Sequence, residues 1–254
     1  MLDLKRTVAL LAVPMSLLIS PCLHAEGEHH WSYSGHSGPA HWSEMEGEYR
    51  SCGLGKLQSP VDIRDSAVKK GALPDIAFDY KPSPLRIIDN GHTIQVDYAP
   101  GSFITVQGQR YELVQFHFHK PSEEKINGKS ADMVAHLVHK DANGKLAVVA
   151  VLLKAGAANK LVDTLWKNAP HEKEKQLAVA GVEVNAADLL PVNKTSYYTF
   201  TGSLTTPPCS EGVTWFVLRT PTSISKDEVA RFAKLYPMNA RPTQPLNGRE
   251  IRAN

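Results

Sequence analysis

The residues in this chain best suited to do chemistry lie in Gln115-Phe116-His117-Phe118-His119, where polar and aromatic side chains alternate. On a β-strand, residues two apart share a face. His117 and His119 therefore project together beside Gln115, and Phe116 and Phe118 point the other way. Two imidazoles held at strand spacing make half of a metal site. Taken alone they also fit two core histidines bonded to backbone. A zinc site for hydration or hydrolysis needs three protein ligands and one open position for water. The candidates for the third ligand are His136 and His139, within Met133–Lys140. Three residues apart on a strand, they face opposite ways. His136 shares its face with Val134 and Val138, a dry wall, and is the better candidate. His139 adjoins a polar turn and is expected to be exposed.

Two further segments could serve such a centre. Pro121-Ser122-Glu123-Glu124 follows the histidine pair closely. One of two adjacent glutamates is ordinarily solvated, and an inward carboxylate needs a hydrogen-bond partner. That partner can come from Ser203-Leu204-Thr205-Thr206-Pro207-Pro208, a proline-stiffened loop with two threonine hydroxyls. A rigid hydroxyl is what a metal-bound hydroxide requires for orientation. The same segment read alone is an ordinary stiff turn.

These pieces need a scaffold of strands. The residue pattern predicts strands at Leu85–Ile88, Thr93–Tyr98, Ser102–Val106, Gln109–His119, Ala131–His139 and Leu146–Lys154, and a buried strand at Gly212–Arg219. Turn signals at Asn90-Gly91, Asn127-Gly128 and Asp141-Ala142-Asn143-Gly144 join several of them as hairpins. The expected fold is mainly β (α+β), a large, mostly antiparallel twisted sheet with a few short surface helices. Helices are expected at Asn159–Trp166 and Ala186–Leu189, and at Lys226–Leu235 behind the capping box of Ser225 and Glu228. Residues 26–47, rich in His, Trp, Gly and Ser, read as an irregular arm in which His29 and His30 are solvated. The proline-punctuated tail, Tyr236–Asn254, reads as extended and wrapped over the surface.

The chain has 254 residues and a formal net charge of +2 with well-mixed signs, which leaves no basic footprint for nucleic acid. Lys5 and Arg6, the apolar run at 7–19 and the small residues up to Ala25 have the pattern of an export signal. The run is too short to span a bilayer as a helix. The expected organisation is a signal peptide over 1–25 and one domain over 26–254, secreted into the periplasm of a Gram-negative bacterium. Beyond the leader only Cys52 and Cys209 remain, and in an exported chain they are expected to form a disulfide.

Together, the segments around His117, Glu123, His136 and Thr205, with Val213-Thr214-Trp215, resemble the α-class carbonic anhydrases. So do His30-Trp31-Ser32-Tyr33, Gln58-Ser59-Pro60-Val61-Asp62-Ile63 and residues 239–247. The similarity runs in order from about His29 to Arg249 and suits the exported bacterial members. It implies a carbonate dehydratase, a lyase whose zinc-bound hydroxide hydrates carbon dioxide reversibly to bicarbonate in a conical cleft. His117, His119 and His136 would hold Zn2+, with Gln115 behind His117. Thr205 would bridge hydroxide and Glu123, and Thr206 would place the substrate. Val138, Val148, Leu204, Val213 and Trp215 would line a pocket for carbon dioxide. His92 would shuttle the proton, and Tyr33 would order the water chain. The resemblance also implies cis bonds at Ser59-Pro60 and Pro207-Pro208, inhibition by sulfonamides and anions, and a homodimer as one assembly open to the chain.

One position departs from the family pattern. A glutamate usually stands two residues before the third histidine and accepts its outer N–H. Here Val134 occupies that place. Another group or water must satisfy His136, or zinc is held more weakly. The competing functions are a carbonic-anhydrase-like binding module without turnover, which would usually lack a zinc histidine, and a zinc esterase as side activity.

Overall fold

The computed structural model describes residues 30–254. The candidate leader and His29 lie outside the described residues. The strands in chain order are β1 (Asp62–Ile63), β2 (Lys69–Lys70), β3 (Ile76–Asp79), β4 (Ser83–Asp89), β5 (Ile94–Asp97), β6 (Phe103–Val106), β7 (Gln109–His119) and β8 (Lys125–Ile126). There follow β9 (Lys129–Ser130), β10 (Met133–Lys140), β11 (Leu146–Ala155), β12 (Leu177–Val184), β13 (Tyr197–Ser203), β14 (Glu211–Leu218), β15 (Thr222–Ile224) and β16 (Arg252–Ala253). The helices are short: α1 (Trp42–Met45), α2 (Ser51–Leu54), α3 (Lys160–Lys167) and α4 (Lys226–Leu235), with 3-10 turns that include Ala186–Leu189.

Most strands join one thirteen-stranded sheet whose backbone order is β12-β4-β5-β7-β10-β11-β14-β13-β16-β2. The neighbours β4/β5, β5/β7, β7/β10 and β10/β11 are antiparallel. The turn signals at Asn90-Gly91 and Asp141-Ala142-Asn143-Gly144 join β4 to β5 and β10 to β11, while Asn127-Gly128 joins β8 to β9 in a separate small sheet. The sheet is nevertheless mixed, because β11 runs parallel to both β14 and β15, and β16 runs parallel to β2. A parallel join needs a long crossover, and the chain between β11 and β14 supplies one. Such a join leaves no local turn signal, so the sequence reading did not anticipate it. Nor did it anticipate β12 and β13.

Alternation along β7 divides the molecule. Phe116 and Phe118 enter the larger apolar core with Leu137, Val149 and Val151, under Leu165 and Trp166 of α3 and Phe232 of α4. The opposite face carries the smaller apolar cluster of Val134, Val148, Ala150, Leu152, Val213, Trp215 and Val217. Helix α3 starts at Asn159, whose side chain accepts from the Leu161 and Val162 N–H groups. The expected capping box at Ser225 and Glu228 opens α4. These caps satisfy N–H groups that a first helical turn leaves without partners.

Two expectations about exposure are corrected. His139 is fully buried, turned to the face of Leu137, with its Nε2 2.8 Å from the Tyr80 hydroxyl. The Tyr80 ring covers it, stacked on the imidazole with ring centroids 5.8 Å apart. The tail is also not confined to the surface. Asn239 and Arg241 are buried, and the tail contributes β16 to the sheet.

Candidate metal centre

Strand register builds the site. His117 of β7 lies directly opposite His136 of β10, and His119 lies opposite Val134. Because the two strands are antiparallel and in register here, three imidazoles two residues apart or directly opposite share one face. The same register puts Val138 beside Gln115 on one side and Val148 on the other, with Trp215 beyond Val148. The histidines therefore sit at the end of an apolar row. Val138 and Leu204 pack against the cluster that holds Val148, Val213 and Trp215, and the Trp215 ring stands edge-on to His136 at 5.0 Å.

Each ring commits one nitrogen outward. His117 Nδ1 is 2.8 Å from Gln115 Oε1, and His119 Nδ1 is 2.7 Å from the Asn239 carbonyl. His136 Nε2 is 3.1 and 3.2 Å from the two carboxylate oxygens of Glu124. A carbonyl or carboxylate oxygen can only accept, so the engaged nitrogen is the one that carries the proton. The remaining nitrogens, Nε2, Nε2 and Nδ1, are lone-pair donors. One ligand atom from each ring lies within 4.8 Å of the others, and His119 Nε2 is buried with no hydrogen-bond partner. Three neutral imidazoles converging with lone pairs inward fit a zinc ion with a further open position. An apolar wall without a cation partner would leave His119 Nε2 with an uncompensated desolvation cost.

Two of the three rings favour the neutral state that this fit needs. Burial first, and then the neighbouring His136, bring His117 down to about 3 from its ordinary 6.5. Burial likewise lowers His119. His136 moves the other way. Burial pushes it down, but the Glu124 charge and hydrogen bond, with Glu123, outweigh that and raise it.

Both glutamates of Ser122-Glu123-Glu124 are buried, contrary to the expectation that one is solvated. Glu123 Oε1 accepts the Arg241 backbone N–H at 2.8 Å. Its oxygens lie 3.5 Å from His119 Nδ1 and 3.8 Å from His136 Nδ1. Burial pushes its pKa up to about 7, while His136, Arg241 and the Thr205 hydroxyl oppose the rise. Glu123 Oε2 has no hydrogen-bond partner among the described residues.

The threonine loop is braced on every side. Ser203 Oγ accepts from the Ser59 N–H at 2.9 Å, and the Trp215 indole N–H donates to the Ser203 carbonyl at 3.1 Å. Cys209 is bridged to Cys52 and donates its N–H to the Thr206 carbonyl at 2.8 Å. Arg241 donates to Gln58 Oε1 and to the Ser59 and Cys52 carbonyls, which ties the bridge to the tail. Ser59-Pro60 and Pro207-Pro208 are cis, and so is Lys120-Pro121.

His92 and Thr206 are not hydrogen-bonded to the three rings. His92 lies in the turn between β4 and β5, stacked on Trp31 at 3.5 Å and on His30 at 4.7 Å. His30 is thus exposed but not free in solvent. Burial in this stack, with His30 and Lys173 nearby, lowers His92 to about 4. Tyr33 stands edge-on to His92 at 6.5 Å, and its buried hydroxyl has no partner. The sequence reading gave no role to Asn239 or Glu124. Asn239 Nδ2 donates to the His92 and Phe118 carbonyls, and its Oδ1 accepts the Lys120 N–H, so its own carbonyl is fixed against His119. No local signal could reveal this, since 120 residues separate Asn239 from His119.

The family model for eukaryotic-type carbonic anhydrase matches residues 37–254. A carbonic anhydrase of Neisseria gonorrhoeae is 44% identical over 234 residues, covering 89% of each chain. The α-carbonic anhydrase of Thermovibrio ammonificans, solved with the inhibitor sulfanilamide, superposes with a TM-score of 0.85 at 40% identity, over 89% of this chain and 100% of that one. A hyperthermostable carbonic anhydrase from a hydrothermal vent chimney gives 0.84 at 48% identity, over 88% and 99%. The chain belongs to the α-carbonic anhydrases, a family of carbonate dehydratases.

Proposed function

We propose that the chain hydrates carbon dioxide reversibly to bicarbonate and a proton, with Zn2+ held by His117, His119 and His136. The observation that carries this reading is the outward engagement of all three rings, which leaves three lone pairs aimed at one point. Bound zinc lowers the pKa of a coordinated water to about 7, carbonic anhydrase being itself the type example of that value.

The chain's own residues supply the rest. Thr205 donates to Glu123, which leaves its oxygen to accept from the attacking oxygen and aim it. Val138, Val148, Leu204, Val213 and Trp215 offer carbon dioxide an apolar wall, and Thr206 places bicarbonate. His92 carries the proton outward along water ordered by Tyr33. A ring at about 4 is too weak a base to accept a proton at neutral pH. Outside the Trp31 stack, solvent would return the ring toward its ordinary value near 6.5, at which it can take up and pass on a proton.

The chain is read as a signal peptide over 1–25 and one domain over 26–254, exported to the periplasm. The Cys52–Cys209 bridge, which requires an oxidising compartment, supports export. Among the described residues no helix is long and apolar enough to cross a membrane.

The test is stopped-flow hydration of carbon dioxide by the mature protein, with and without chelator, and with a sulfonamide of the kind bound by the Thermovibrio relative. A metal-dependent rate abolished by both is expected, and no rate above buffer sinks the reading. His119→Ala should lose zinc by elemental analysis, and retention at full stoichiometry would remove His119 from the ligand set.

A further inference from the structure

His136 turns its Nε2–H away from the point where the three rings converge, into the protein on the far side. Its own strand has nothing there to receive it. Val134, which shares the face of His136, is fully buried and has no acceptor. A ring N–H on a side chain that is 1% exposed must still find a partner. The partner comes from a different segment. Glu124 sits in the loop after β7, itself 1% exposed, with both carboxylate oxygens directed at His136 Nε2 at 3.1 and 3.2 Å.

The loop is built to hold that carboxylate still. Ser122 Oγ donates to the Glu124 carbonyl at 2.7 Å and accepts the Ala131 N–H at 2.8 Å. Ser122 N–H reaches the Ala131 carbonyl at 3.1 Å, and the next residues, Lys125 and Ile126, pair with β1. Glu123 cannot do the same work. Its Oε1 is taken by Arg241, and its Oε2 lies on the Nδ1 side of His136, 3.8 Å away. Of the two adjacent glutamates, only Glu124 holds the Nε2 edge of the ring.

We propose that Glu124 is the positioning residue of His136, a loop carboxylate that replaces the one the strand lacks at Val134, fixes the ring's rotation and keeps its proton on Nε2 so that Nδ1 faces the metal. The proposal rests on the zinc reading above. A carboxylate partner of this kind is worth about 10–100-fold in metal affinity.

Two measurements at one fixed pH, alkaline enough for the His136 ring to be neutral, test it. The first is the imidazole 15N spectrum of the metal-free protein, which reports the tautomer without any metal. The second is the affinity for zinc alone, by competition with a chelator. The wild type should show His136 as a single Nε2–H tautomer. Glu124→Ala should mix the tautomers and weaken zinc about 10–100-fold. Glu124→Gln keeps an acceptor and should lose less. Adding Val134→Glu to Glu124→Ala should recover at least about tenfold, because a carboxylate returns to the same N–H. A wild-type Nδ1–H tautomer, or a Glu124→Ala protein with unchanged tautomer and zinc affinity within about twofold, well short of the expected loss, overturns the proposal. If Glu124→Ala does not fold, the wild-type spectrum and Glu124→Gln decide, since the amide preserves shape. A wild type without zinc affinity sinks the zinc reading and this proposal together. Normal zinc binding that is indifferent to Glu124 sinks this proposal alone.

Discussion

The Cys52–Cys209 bridge joins α2 to the end of the threonine loop across a sequence separation of 157. On the chain-entropy model, removing a cross-link over a loop of that length frees the unfolded chain by ~5 kcal/mol at 25 °C. A domain of this kind has about 5–15 kcal/mol in total, so the loss is a large share. Cys52→Ala with Cys209→Ala is the suitable perturbation, because both sulfurs sit in an apolar cluster with Trp42 and added hydroxyls would confound it. Urea unfolding of the oxidised protein and the double variant should show the stability fall by ~5 kcal/mol. The dependence on urea should steepen, because the uncrosslinked unfolded chain exposes more surface. The native loop should persist, held by Gln58 Nε2 on the Cys209 carbonyl and by Arg241 on the Cys52 carbonyl. A loss below about 1 kcal/mol would refute the loop-entropy reasoning, and would mean the two segments stay together in the unfolded ensemble.

Thr205→Ala should keep zinc while slowing turnover about tenfold to a hundredfold, the equivalent of one charge-assisted hydrogen bond at roughly 1.5–3 kcal/mol. Thr205→Ser should retain most of the rate, and an unchanged rate in the alanine variant would remove Thr205 from the orienting role. Acid should destabilise the metal-free protein. His117 and His139 are held near 3 and His92 near 4 by burial, and His119 is lowered as well. Depressed groups give stability that is present above their ordinary 6.5 and is lost as pH falls toward the folded values. Raised His136, and Glu123 at about 7, act in the opposite sense, losing stability as pH rises, but they are outnumbered. Urea midpoints measured from pH 7 to pH 4 should therefore decline, and a flat or rising series would contradict these burial effects.

Much of the strand scaffold was legible because the forces that set it are local. The strand Gln109–His119 was legible, with strict alternation over 115–119, and the Ser225/Glu228 box located α4 to the residue. The two faces of β7 followed from period 2, and so did the choice of His136 over His139, whose side chain points into the other layer. The exposure of His139 was misjudged because a turn nearby in sequence says nothing about what packs over the strand from Tyr80, 59 residues away.

The sequence by itself determined which residue types could bind a metal and that His117 and His119 share a face, since covalent geometry imposes both. It did not determine what holds the rings. Gln115 could be foreseen behind His117, being two residues away on the same strand. The Asn239 carbonyl and the Glu124 carboxylate could not, because each reaches its histidine through loop conformations set by hydrogen bonds to other segments. Only the tertiary structure could turn Val134 from an apparent gap into a position whose duty another residue performs. A buried N–H constrains that some acceptor be present, not where along the chain it comes from.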